Sequence, residues 1–149
     1  MSAQVARLGT VGPGGRIDLI PITFALGSGA LGSGALEAGA LESGTGGPAA
    51  DVLVTAVDHK PKSTLELQRL ANIERSPQVT VLVDHYSEDW TTLWWVRMRG
   101  TARVHREGPE WQEAVAALVD RYRQYRERPP RGPAIVVSVT SWSGWAASP

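Results

Sequence analysis

A chain of 149 residues with 42% hydrophobic and 20% charged side chains has the make-up of one folded domain rather than of a disordered tail. Fifteen Lys and Arg balance fifteen Asp and Glu, so the basic excess of a general nucleic-acid or membrane-surface binder is missing. Zero Cys excludes disulfides and thiolate metal sites, and neither a membrane-length apolar run nor a signal-peptide core occurs, which points to a soluble cytoplasmic protein.

In chain order, Val5 to Val11 reads as a strand, Gly12-Pro13-Gly14-Gly15 as a turn, and Ile17 to Leu26 as a second strand. Pro21 places that second strand at a sheet edge or a bulge, because proline has no amide to give a central ladder. From Gly27 the chain runs GSGAL, GSGAL, EAGAL, ESG, a five-residue repeat that matches neither the helix period nor the strand period. Its glycine content makes ordering costly, so 27–50 is expected to be a flexible insertion between two strands.

Asp51 to Val57 is a short strand of buried type. The polar segment 58–64 follows, then a helix from Leu65 to about Glu74, with Ser63 and Glu66 spaced as a capping box and Ser76-Pro77 as its stop. Val79 to Tyr86 and Leu93 to Arg106 are strands with clean alternation. In the longer one, Trp94, Val96, Met98, Gly100, Ala102 and Val104 share one face. Trp95, Arg97, Arg99, Thr101, Arg103 and His105 share the other. A helix opens at Pro109, with Trp111, Val115, Leu118, Tyr122 and Tyr125 as its apolar stripe and four arginines (121, 123, 126, 128) near its end. Pro129-Pro130 stops it, and Ala134 to Trp142 is the last strand, before the closing Trp142-Ser143-Gly144-Trp145. Six antiparallel strands and two helices predict a mainly β, α+β fold: one domain over 1–149, built as a small barrel or curled sheet.

Two places carry the residue types for ligand binding. Lys60, Lys62, Ser63 and Thr64 gather where a helix starts, and free amides with a positive dipole end there favour a phosphate or carboxylate. A capped helix with two solvated lysines satisfies the same pattern. The Trp95, Arg97, Arg99 face suits a flat anionic or conjugated ligand, and equally a subunit interface. His59, His85 and His105 have no metal-ligand spacing, so no metal site is expected. GxxxxGK[ST], GxSxG and Cys are all absent, which removes nucleoside-triphosphate hydrolysis and covalent catalysis as advertised chemistries and favours cofactor chemistry.

The stretches VARLGTVGPGGRIDLIPITFAL, TAVDHKPKSTLELQRLANIERSPQVTVLVDHY and DWTTLWWVRMRGTARV, with the closing WSGW, resemble the pyridoxamine 5′-phosphate oxidase-like superfamily. More narrowly they resemble its actinobacterial branch of coenzyme F420-dependent enzymes. The resemblance spans nearly all of the chain outside 27–50. It implies a split β-barrel of the FMN-binding type that forms a homodimer, with two flavin or deazaflavin sites at the interface. It puts Lys60, Lys62, Ser63 and Thr64 on the cofactor phosphate, and Thr55, Ala56 and Val57 as backbone contacts beside the ring. Asn72 and the Trp95–Arg97 pair are carried over as contacts to the cofactor, reaching that of the neighbouring subunit. Relatives usually carry a helix before the first strand, which here starts within a few residues of Met1.

The activity so implied is an F420-dependent oxidoreductase that moves hydride between C5 of the reduced deazaflavin and a small unsaturated substrate. His85 and Tyr86 are candidate proton donors. The alternatives are an FMN-dependent enzyme of pyridoxamine phosphate oxidase type and a non-catalytic flavin or haem carrier, with His59 or His85 as the haem ligand.

Overall fold

A computed structural model describes residues 3–28, 51–57 and 64–148. Among these residues seven strands form one antiparallel sheet: β1 (Ala6–Val11), β2 (Ile17–Ile22), β3 (Ala25–Ser28), β4 (Asp51–Ala56), β5 (Gln78–His85), β6 (Trp94–His105) and β7 (Ala134–Ala146). Among the described residues three α-helices accompany them: α1 (Thr64–Arg75), α2 (Pro109–Arg121) and α3 (Arg123–Glu127). The strand order is β2-β1-β5-β6-β7-β4-β3, so β2 and β3 are the two edges and the sheet does not close on itself.

The sheet curls because one face of nearly every strand is apolar and seeks the same interior. Leu8 of β1, Leu53 of β4, Val81 and Val83 of β5, Val96 and Met98 of β6 and Ile135 of β7 meet in one core. Leu70 and Ile73 of α1 join it. A second cluster lies across the sheet, where Ala114 and Leu118 of α2 and Tyr125 of α3 pack on Val54 and Ala56 of β4 and on Ala25 and Ala134. β4 thus serves two cores, its side chains alternating between them as the pleat requires.

Pro21 lies on edge strand β2, as expected of a residue that cannot donate. Four expectations need correction. The expected strand from Ile17 to Leu26 is two strands, because Phe24 turns inward and is fully buried. Its amide donates to the Tyr122 hydroxyl at 2.9 Å, and that hydroxyl lies 2.9 Å from the Phe24 carbonyl oxygen, so a side chain replaces a strand partner there. Gly27 and Ser28 belong to β3 rather than to the insertion; the rest of that segment (29–50) lies outside the described residues. The second long helix is broken: Tyr122, at φ −113° and ψ 122°, is extended and divides α2 from α3. The last strand runs on to Ala146, because the closing Trp-Ser-Gly-Trp pairs with the start of β6.

Two glycines are dictated by geometry. Gly14 has φ 70°, a left-handed conformation that L side chains rarely adopt, in the turn between β1 and β2. Gly100 sits at the β6 bulge, where a Cβ would overlap the Ser138 carbonyl oxygen.

Candidate functional site

The clean alternation of β5 and β6 gives them an inner and an outer face. Strand register there sets Asp84 opposite Trp95 and Leu82 opposite Arg97. On the far side of β6, Trp95 meets Trp145 and Arg97 meets Ser143 of β7. Leu82, Asp84, Trp95, Arg97 and Trp145, with Tyr86, Leu93 and Trp94, line a pocket of about 300 Å³. Its walls are aromatic and aliphatic except for one carboxylate, one guanidinium and one phenol.

Both charged groups are held in place. Arg7 reaches from β1 to Asp84 at 2.9 Å, with both side chains partly exposed, so the pair orients more than it stabilises. The Arg97 guanidinium lies over the Trp95 ring, 5.5 Å from its centroid, and its Nε donates to Ser143 Oγ at 3.2 Å. Asp84 and Arg97 sit on adjacent strands one residue pair apart on the same face, a diagonal that ordinarily favours opposite charges. They form no ion pair, because Arg7 takes the first while Trp95 and Ser143 hold the second.

The turn between β5 and β6 is knotted by short hydroxyl contacts. Asp89 Oδ1 accepts from the Thr91 amide at 3.1 Å and from Thr91 Oγ1 at 2.6 Å. Ser87 and Thr92 hydroxyls lie 2.9 Å apart, and both donate to the Asp89 carbonyl. The Thr91 hydroxyl, then the Thr91 amide, hold the Asp89 carboxyl below its ordinary value, since both bonds favour the charged form. Trp90 of this turn and Tyr86 before it are 71% and 76% exposed, an unusual display of large aromatic surface.

The family profile for pyridoxamine 5′-phosphate oxidase matches residues 2–146. The chain belongs to this family. Solved structures agree on the fold. A conserved hypothetical protein of Mycobacterium tuberculosis matches at TM-score 0.64 and 16% identity, over 98% of this chain and 79% of its own. The haem storage protein HutZ of Vibrio cholerae matches at TM-score 0.58 and 11% identity, over 97% and 86%. A haem-binding protein of Mycobacterium smegmatis matches at TM-score 0.59 and 17% identity, over 98% of this chain and 54% of that one. No curated protein matches the sequence.

Within this family member the residues singled out from the sequence fall into three separate places. Trp95 and Arg97 are in the pocket. Thr55, Ala56 and Val57 are buried at the end of β4, near the other end of β7: Thr55 pairs with Ile135 and Ala56 with Ala134. The ladder with β3 stops at Val54, so one edge of residues 55–57 is outside it. From Ile135 to Trp145 the strand advances about 33 Å at ~3.3 Å per residue. A single copy therefore does not bring these two groups onto one ring.

Asn72 is in neither place. It is fully buried and its amide is spent on the protein: Nδ2 donates to Thr10 Oγ1 at 3.0 Å and to Asp18 Oδ2 at 2.7 Å, while Oδ1 accepts from Gln68 at 2.8 Å. It locks α1 to the β1–β2 hairpin. Thr64 opens α1, one residue before the expected start at Leu65; Lys60, Lys62, Ser63 and His59 lie outside the described residues. His85 stacks on Trp94, with centroids 6.4 Å apart and planes at 22°, and does not line the pocket, whereas Tyr86 does. Among the described residues no group of three or more His, Asp or Glu could hold a metal ion, and no helix is long and apolar enough to cross a membrane.

Sequence reasoning missed Leu82, Asp84, Leu93, Trp94 and Trp145 as pocket members. The signal available was WSGW, whose second tryptophan joins the Trp95 face once β7 is registered against β6.

Proposed function

We propose that this chain is an oxidoreductase that binds the deazaflavin coenzyme F420, with FMN as the alternative, and works as a homodimer on a small unsaturated substrate. The observation that carries the reading is the aromatic, guanidinium-bearing pocket some 30 Å along β7 from the β4 end, by ~3.3 Å per strand residue. Two half-sites this far apart fit a cofactor shared between copies, the Trp95–Arg97 face of one meeting the ring held at residues 55–57 of the other. The exposed apolar groups Ile17, Leu19, Tyr86, Trp90 and Trp145 are surface that such pairing would bury.

The pocket fits a ring system and not a whole cofactor. Its volume of about 300 Å³ is at the lower bound of ligand sites, roughly 300–1,000 Å³, and it has no cluster of cations for a phosphate. The anionic tail therefore belongs at the start of α1, on Lys60, Lys62, Ser63 and Thr64. When bound, F420 supplies a hydride donor or acceptor at C5. The protein's share is orientation, exclusion of water by tryptophan, and donors for developing negative charge, among them Arg97 and the Tyr86 hydroxyl.

Side-by-side titration with F420 and FMN, followed by absorbance, tests this. F420 is expected to saturate one site per chain, and the Lys60→Ala/Lys62→Ala double variant to weaken it about tenfold or more at unchanged fold and oligomeric state. Failure of both cofactors to bind would end the proposal. Haem carriage is the second reading, favoured by the names of two fold relatives; a sharp Soret band on haem addition, without deazaflavin or flavin binding, would establish it instead.

A further inference from the structure

Arg97 is a cation prepared for an anion that the described residues do not supply. Among the described residues no carboxylate lies within ion-pair distance of it. One of its five N–H donors is engaged by Ser143, and its flat face rests on Trp95. Holding the guanidinium there lowers the ordering cost of binding, since the rotamer is already chosen. Asp84 would be the natural competitor, but Arg7 neutralises it from β1.

The lining holds one cation and one anion, Arg97 and Asp84; Arg7, outside the lining, pairs with the anion, so the three together are one net positive. Leu82, Leu93, Trp95 and Trp145 give apolar walls suited to a ring. We infer that this pocket seats a planar aromatic or conjugated monocarboxylate, its acid group on the two terminal nitrogens of Arg97 and its ring along the tryptophan walls. A phosphate monoester fits poorly. It brings a second negative charge toward Asp84 and meets neither a second free cation nor a helix terminus within the pocket. The seat stands on the pocket alone. On the reading given above, the ring held at residues 55–57 of the other copy would close over this seat from outside, and the occupant would be the compound exchanging hydride with the cofactor.

Three naphthalene probes separate the contributions: 2-naphthoate carries one charge, 2-naphthol none and 2-naphthyl phosphate nearly two at pH 8. Binding is read from quenching of tryptophan fluorescence on the full chain without cofactor. The expected result is 2-naphthoate binding at least about tenfold more tightly than either of the others, as for a charge-assisted contact. Arg97→Gln should erase the preference for 2-naphthoate over 2-naphthol while leaving 2-naphthol affinity within about twofold. Ser143→Ala keeps the charge but frees the side chain, and should reduce the preference by about threefold, a hydrogen bond's share. Equal binding of 2-naphthoate and 2-naphthol, equal binding of the phosphate, or a preference that survives Arg97→Gln would each overturn the inference. Should Arg97→Gln fail to fold by circular dichroism, the ranking of the probes and Ser143→Ala decide.

The cofactor titration separates this from the reading it extends. Arg97-dependent naphthoate binding without F420 or FMN binding sustains the seat and ends the cofactor proposal. Cofactor binding with no naphthoate preference does the reverse.

Discussion

Replacing Asn72 by Ala decides between two accounts of that residue. The resemblance to F420-dependent relatives makes it a cofactor contact; the geometry makes it the bolt between α1 and the β1–β2 hairpin. Hydrogen bonds between neutral groups contribute about 0.5–1.5 kcal/mol net, and those to a charged group about 1.5–3 kcal/mol. Asn72 makes one of the second kind, to Asp18, and two of the first, to Thr10 and Gln68. The Arg75 contact, at 3.5 Å, adds little. Asp18 is 25% exposed and Gln68 half-buried, so both recover water when the amide is removed, whereas buried Thr10 does not. The loss should be about 2–3 kcal/mol after that recovery. For a chain of this size each kcal/mol moves the melting temperature by about 2–4 °C, so Asn72→Ala should melt about 4–12 °C lower. Thermal unfolding by circular dichroism, without and with saturating F420, is the assay. A fall under about 2 °C together with weakened F420 binding would refute the structural account, since a bolt costs stability whether or not cofactor is present.

Three further outcomes are expected. Gly100→Ala should lower stability by about 1–3 kcal/mol in urea unfolding, because its Cβ meets the Ser138 backbone across the β6–β7 bulge and neither strand can retreat. Tyr122→Phe should cost about 1–3 kcal/mol, leaving the buried Phe24 amide without an acceptor; a neutral result would mean that water replaces the hydroxyl. Asp89 has a folded pKa below its ordinary value of 3.8, so its hold on the β5–β6 turn is present above that value and is lost as pH falls through the lowered one. Trp90 emission should shift over that acid range in the parent protein and stay flat in Asp89→Ala.

The faces of β5 and β6 are legible in the sequence because a strand's period of two is local. Trp94, Val96 and Met98 point in and Trp95, Arg97 and Arg99 point out without reference to any other element. What sequence cannot supply is the partner that overrides a local pattern. The run from Ile17 to Leu26 alternates well, yet it breaks at Phe24 because a hydroxyl 98 positions later captures that residue's backbone. The α2 stripe likewise reads as one helix through Tyr125, but Tyr122 is more useful extended, with its hydroxyl also 2.8 Å from the Gln4 carbonyl. Beyond Trp142, Ser-Gly-Trp carries no strand pattern; β6 imposes one.

The candidate site follows the same division. That Trp95 and Arg97 share an exposed face is local, and the sequence is enough to pair them. How far they lie from Thr55 and Val57 within one copy depends on register across β4, β7 and β6, which sets about 33 Å along β7 at ~3.3 Å per strand residue. Asn72 is illegible for a different reason: an amide in a motif looks the same whether it faces a ligand or the core. Only its acceptors distinguish the two, and Thr10 and Asp18 lie 62 and 54 positions away. The pocket's selectivity rests on contacts at similar range, since Arg7 comes to Asp84 from 77 positions upstream and Ser143 to Arg97 from 46 downstream. Without those two contacts, Asp84 and Arg97 would sit one diagonal apart with every electrostatic reason to pair, and the pocket would present no open cation.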